Sequence, residues 1–257
     1  MMIIEENKII KGIPAIVCKS EDSLKKPLVI MSHGFTNSKE SYKSNGCLKC
    51  LAEAGYYAVA IDNRLHGDRP GPHFSTTIIE SSGKVNLFLL RKAIKETADD
   101  VRLLIDELSL LEEIDKNNIA MIGISMGGFI TYRSIVTDDR IKVGNPIISS
   151  PFWDDIPGDV PVNTDEKAET DWKILSETLQ PSNYPDKFYP TSLLIQVGDI
   201  DKHYDITKVK EFYNKLTGYY HDSSEKLKLI VYPNTGHEFT QEMWAQALQW
   251  LKENFLL

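Results

Sequence analysis

The chain alternates short apolar runs with amphipathic stretches. Residues 27–32 (PLVIMS) are almost continuously apolar, as expected for a strand buried on both faces. Residues 56–62 (YYAVAID), 119–124 (IAMIGI), 143–149, 192–197 and 228–232 read the same way. Between them, residues 39–54, 86–111, 126–136 and 241–254 carry apolar positions at helical spacing, with Gly55 as a stop for the first. Residues 8–19 predict an N-terminal strand or hairpin. Strands alternating with helices imply an α/β fold: a mostly parallel, doubly wound sheet flanked by helices, in a single domain.

Residues 151–190 break this rhythm. They hold six of the twelve prolines, and their nine acids against three lysines give a net charge of −6. Six aromatics lie there: Phe152, Trp153, Trp172, Tyr184, Phe188 and Tyr189. About forty residues are too few for a core of their own. The segment is therefore expected to be a small cap on the carboxyl edge of the sheet. Phe152, Trp153 and Trp172 are its candidate substrate-pocket residues, and its acids are expected to favour neutral or cationic substrates over anions.

Composition narrows the function classes. The 257 residues carry 29 Lys and Arg against 37 Asp and Glu, a net charge of −8. A nucleic-acid-coating protein or a polybasic membrane anchor would need the opposite balance. No apolar run reaches the ~18 residues that span a bilayer, and residues 1–12 lack a secretory hydrophobic stretch. A soluble cytoplasmic protein is the expectation. Cys18, Cys47 and Cys50 make no disulfide framework. The CxxC of Cys47 and Cys50 lacks the second pair that zinc would want, and it sits in a helical pattern where both thiols can face the core.

The decisive motif is Gly123-Ile124-Ser125-Met126-Gly127-Gly128, after an apolar strand and before a helix. That context places the serine on a sharp strand-to-helix turn, with its hydroxyl above the sheet and the Met126 N–H aimed at a developing oxyanion. A serine needs a base. Of six histidines, His237, in the loop after the last strand, is the candidate. His33 and His66 follow early strands and read as structural, whereas His203 and His221 read as solvated. A third group must orient the base. Asp201 lies three residues past the strand-ending Gly198, and Asp199 is its alternative. The second oxyanion donor is expected from Ser32-His33-Gly34-Phe35, through the Phe35 N–H, with His33 bracing the loop.

Together HGF (33–35), DNRLHG (62–67), GISMGG (123–128), GDID (198–201) and GHEF (236–239) resemble the α/β-hydrolase superfamily. More closely, they resemble small bacterial esterases of the prolyl oligopeptidase-like and dienelactone hydrolase-like branch. The resemblance covers nearly the whole chain. It implies a catalytic triad of Ser125, Asp201 and His237 and an oxyanion hole of Phe35 and Met126. One departure is Leu65, where many members have glycine. The expected activity is hydrolysis of small carboxylic esters through an acyl-enzyme, with no cofactor and no metal. A peptidase, amidase or acyltransferase using the same triad is the alternative, as is a non-catalytic binding protein. The expected partner is a small-molecule ester, with neither nucleic acid nor membrane, and a homodimer is left open.

Overall fold

The computed structural model describes residues 2–155, 157–158, 160–163 and 166–255. Strands β1 (Ile3–Ile10) and β2 (Ile13–Ser20) form an antiparallel hairpin turned at Lys11 and Gly12, both at positive φ. The hairpin extends beyond the predicted 8–19 at its amino end. Strand β2 then pairs antiparallel with β4 (Tyr57–Ile61). All later pairings are parallel, through β3 (Lys26–Ser32), β5 (Ile114–Ile124), β6 (Ile141–Ile147), β7 (Ser192–Gly198) and β8 (Leu227–Tyr232). The sheet order among the described residues is β1-β2-β4-β3-β5-β6-β7-β8.

Because side chains alternate along a strand, each central strand feeds two cores. Leu28 and Ile30, Val59 and Ile61, and Ile119 and Met121 face one side. Val29 and Met31, Ala58 and Ala60, and Ala120 and Ile122 face the other. Helices α1 (Glu40–Ser44), α2 (Cys47–Glu53) and, at the chain's end, α8 (Gln241–Asn254) cover the second side. The first side is covered by α4 (Leu87–Leu108), α5 (Met126–Thr137), α6 (Glu166–Leu179) and α7 (Ile206–Thr217), with the short α3 (Phe74–Thr77) preceding them. No described helix is long and apolar enough to cross a membrane.

The predicted helix over 39–54 is two helices. Asn45 ends the first, and Gly46, at φ +77°, restarts the chain in a new direction. Gly55 takes φ +92° as the stop. Helix α4 ends at Leu108, three residues before its predicted end, and begins on Asn86, whose side chain accepts the Leu89 N–H. Of the CxxC pair, Cys47 is buried and Cys50 half-buried. Burial pushes the Cys47 thiol up to about 12, so it stays protonated and inert.

The segment after β6 does not carry its aromatics as expected. Trp153 and Trp172 are buried in the α4–α7 core, and Phe188 packs between Tyr132 and Phe212. The Trp172 indole N–H donates to the Trp153 carbonyl at 2.7 Å, and the Trp153 N–H to Gln180 Oε1 at 3.0 Å. Phe152 meets Phe212 edge-on. These rings fasten the segment down instead of lining a chamber, since a large ring gains most where it is wholly removed from water.

Buried charge ties the early loops together. Asp100 is 2% exposed and accepts a forked pair from Arg64 and a third bond from Arg69, all at 2.6 Å. Asp62, fully buried, accepts from Lys39 Nζ, the Lys39 N–H and the Asp68 N–H. Asp100→Ala strands the buried Arg69 guanidinium, so it should cost about 3–5 kcal/mol of stability. Urea denaturation measures this, and a loss under about 1 kcal/mol would show that the cluster is not holding the loops.

Candidate active site

Ser125 sits where β5 turns into α5, at φ +54° and ψ −117°. A non-glycine residue rarely adopts this backbone, and the strain is held by packing on every side. A Cβ on Gly123 would lie 1.9 Å from the Gly127 carbonyl oxygen, and one on Gly127 would lie 1.8 Å from that of Ser32. A Cβ on Gly128 would lie 2.1 Å from Ser149 Oγ. Only glycine therefore lets α5 press against β3 and β6 at its start. Ser125 makes no capping bond to its helix, and its hydroxyl lies 2.7 Å from His237 Nε2.

His237 hangs in the loop between β8 and α8. Its Nδ1 lies 2.7 Å from Asp201 Oδ2, in the loop between β7 and α7. The two loops meet because Gly198 lacks a side chain: a Cβ there would lie 2.2 Å from the Thr235 carbonyl oxygen. Asp199, the alternative acid, turns away and accepts the Thr235 N–H at 3.3 Å. Burial opposes ionisation of Asp201, but hydrogen bonds from His203 and His237 outweigh it and hold the carboxyl well below the usual carboxylate range.

His203 is half-buried against the site and not free in solvent. Its ring stacks on that of His237, with centroids 3.7 Å apart and planes 14° apart, and its N–H donates to Asp201 Oδ1 at 2.9 Å. It was hidden in the sequence because the charged run around it has no apolar spacing; only its place two residues after Asp201 hinted at this role. Asp201, His203 and His237 also bring their ligand atoms within 4.8 Å of one another. His221 is exposed beside Asp222, as expected.

The loop after β3 lies against the serine. A Cβ on Gly34 would meet Ser125 Cβ at 3.6 Å, an ordinary contact. Phe35, Met126 and Ser125 border one cavity of about 270 Å³. Neither the Phe35 nor the Met126 N–H donates to a backbone carbonyl among the described residues. His33 braces this loop: its Nδ1–H donates to the Gly34 carbonyl at 2.8 Å, and its Nε2 accepts the Asn63 N–H at 3.1 Å. Leu65 takes φ +66°, a left-handed backbone that costs a leucine about 1–2 kcal/mol and a glycine nothing. Its side chain packs on the core in return.

The cavity's described lining is otherwise apolar, from Val85, Leu87, Leu90, Ile94, Phe129, Pro157 and Val160, with Thr36, Arg91 and His203 as the further polar members. Phe152, Trp153 and Trp172 are absent from it, so the pocket expectation is corrected: the segment contributes Pro157 and Val160 instead. Arg91 could not be picked out by pattern, because it occupies an apolar position of an amphipathic helix.

A family model described as serine aminopeptidase, S33, matches residues 24–187. The chain belongs to that family. This S33 hydrolase has the α/β-hydrolase fold, as its structural neighbours do. TT1662 of Thermus thermophilus superposes with a TM-score of 0.78 at 21% identity, over 98% of this chain and 99% of its own. An acetyl xylan esterase of Paenibacillus sp. R4 superposes with a TM-score of 0.69 at 17% identity, over 95% and 80%. In sequence, the candidate esterase YitV of Bacillus subtilis (strain 168) is 28% identical, over 98% of this chain and 99% of its own.

Two predictions follow from the geometry of the S33 site. Gly198→Ala should displace the His237 loop and lower turnover by about 100-fold; unchanged kcat would show that the loops are not locked at this contact. The second concerns acid. Burial lowers the His33 imidazole from 6.5 to about 4, against the opposing bond to Gly34. Below its unfolded value the unfolded chain binds a proton that the native loop refuses, so this stabilisation is present above ~6.5 and is lost as pH falls toward 4. The loss is about 3 kcal/mol, and His66, also lowered by burial, adds to it. The stability of His33→Asn should fall less steeply between pH 7 and 4 than that of the parent; parallel profiles would remove His33 from the acid response.

Proposed function

We propose that the protein hydrolyses small carboxylic esters through an acyl-enzyme at Ser125. The observation that carries this reading is the continuous chain from Ser125 Oγ through His237 to the ionised Asp201, with 2.7 Å at each link. Ser125 Oγ attacks the acyl carbon as His237 Nε2 takes its proton. The N–H groups of Phe35 and Met126 hold the oxyanion, and His237 returns the proton to the leaving alcohol. Water, deprotonated by His237, then attacks the acyl-enzyme and releases the acid. Asp201 keeps the proton of His237 on Nδ1 and balances the imidazolium. The stacked His203 limits tilting of that ring.

The lining favours esters over the cleavage of amino-terminal residues that the family description would suggest. An aminopeptidase must hold an α-ammonium near the scissile bond, and no described lining residue is a carboxylate. A chamber of about 270 Å³ suits short acyl groups, since drug-sized ligands need ~300–1,000 Å³. The segment 151–190 acts as a small cap through Pro157 and Val160.

Ser125→Ala should lower kcat by at least about 10⁴-fold, because nucleophile and base act as a unit. Asp201→Asn should damage turnover severely and Asp199→Asn mildly. Fluorophosphonate labelling with peptide mapping, alongside kinetics on a series of acyl esters and aminoacyl amides, checks all three. Label on a residue other than Ser125, or amides cleaved faster than esters, would overturn the reading.

A further inference from the structure

One charged group in the cavity has no part in the chemistry above. Arg91 is only 3% exposed, on the face of α4 that meets α5, yet it borders the same chamber as Ser125. Its guanidinium lies over the Phe129 ring, 4.6 Å from the centroid. Phe129 stands about one helical turn beyond the serine. Of the five N–H donors of an arginine, one is used: Nε donates to the Trp153 carbonyl at 3.2 Å. The terminal nitrogens have no acceptor among the described residues.

Among the described residues, the acids whose charge acts on Arg91 are Asp155 and Asp154, but both are turned to Lys208, at 2.6 Å and 3.5 Å. Burial brings the Arg91 guanidinium down to about 10, which leaves it cationic at neutral pH. A buried cation with no direct ion pair, as Arg91 is among the described residues, is costly in a core. Phe129 and the Trp153 carbonyl offset only part of that cost, and they fix the plane of the guanidinium while its outer edge meets no acceptor among the described residues. A planar fork of this kind matches a carboxylate.

We propose that Arg91 binds a carboxylate on the acyl part of the substrate, so that the preferred esters are half-esters of short dicarboxylic acids. The acyl part is favoured because it stays tethered to Ser125 after the alcohol leaves, and a chamber this small holds what remains. The apolar walls formed by Leu90, Ile94 and Phe129 accommodate the few methylenes between the scissile carbonyl and the anion. This specificity rests on the ester hydrolysis proposed at Ser125. It reverses the preference for neutral or cationic substrates that the acidic composition of 151–190 suggests, because Asp154 and Asp155 of that segment face Lys208.

The test compares kcat/KM for p-nitrophenyl pentanoate and mono-p-nitrophenyl glutarate, in the parent, Arg91→Met and Arg91→Lys. The parent should prefer the glutarate ester by about tenfold or more. Arg91→Met should abolish that preference and Arg91→Lys retain part of it. Equal use of both esters by the parent, or a preference that survives Arg91→Met, overturns the role of Arg91 and leaves ester hydrolysis standing. A second arm is independent of turnover: glutarate, but not pentanoate, should raise the Tm of the parent and of Ser125→Ala, and not that of Arg91→Met. If neither ester is cleaved and Ser125 is not labelled, the ester reading fails, and this arm alone decides whether the cavity holds a carboxylate; no shift with glutarate overturns it. Should Arg91→Met fail to fold, the selectivity of the parent and its retention in Arg91→Lys carry the same decision.

Discussion

Backbone crowding at the start of α5 is the constraint on which the rest depends. Three glycines let the helix enter between β3 and β6 at distances that no side chain could tolerate. That entry forces Ser125 to φ +54° and leaves its hydroxyl with no bond to the helix. The strain can persist because α5 is packed against the sheet along most of its length, with Met126, Phe129, Ile130, Tyr132 and Ile135 all buried. The same crowding brings Gly127 onto Ser32, and so the strand that launches the Phe35 loop comes to lie beside the serine.

Around this turn, two loops are set by electrostatics as much as by packing. Asp201 accepts from the His203 backbone and the His237 ring, and stays ionised although it is buried. On the other side, His33 is held neutral between the Gly34 carbonyl and the Asn63 N–H. Behind it, Asp62 and Asp100 gather Lys39, Arg64 and Arg69. These ionic contacts are away from the cavity lining and tie the early loops together behind it.

The crossover from β6 to β7 illustrates a division of labour. Its large rings are consumed in the core, where Trp153 and Phe188 are fully buried. What reaches the cavity among its described residues is small and stiff, Pro157 and Val160. The Trp153 carbonyl still shapes the chamber, because it accepts from both Trp172 and Arg91 and so sets the orientation of the guanidinium.

The parallel core strands were legible because burial on both faces demands continuous apolar runs, as in residues 27–32 and 119–124. The serine turn was legible because its geometry admits only glycine at 123, 127 and 128, a requirement written into local sequence. The order Ser125, Asp201, His237 followed from strand ends that must share one edge of a parallel sheet. Helix α7 was not read from the sequence: Ile206, Val209, Phe212 and Leu216 keep a helical spacing, but the charged residues around them blunt the signal. The break at Gly46 and the stacking of His203 on His237 were not legible, since each depends on where a second segment lies. The same holds for the pocket. Composition reports how many aromatics and acids a segment has, but only the packed chain decides which are buried against α4 and which face Lys208. Arg91 shows this most clearly: in sequence it is one more charge on a long helix, and only the approach of α5 and the Trp153 carbonyl turns it into a buried cation on the cavity that Ser125 also borders.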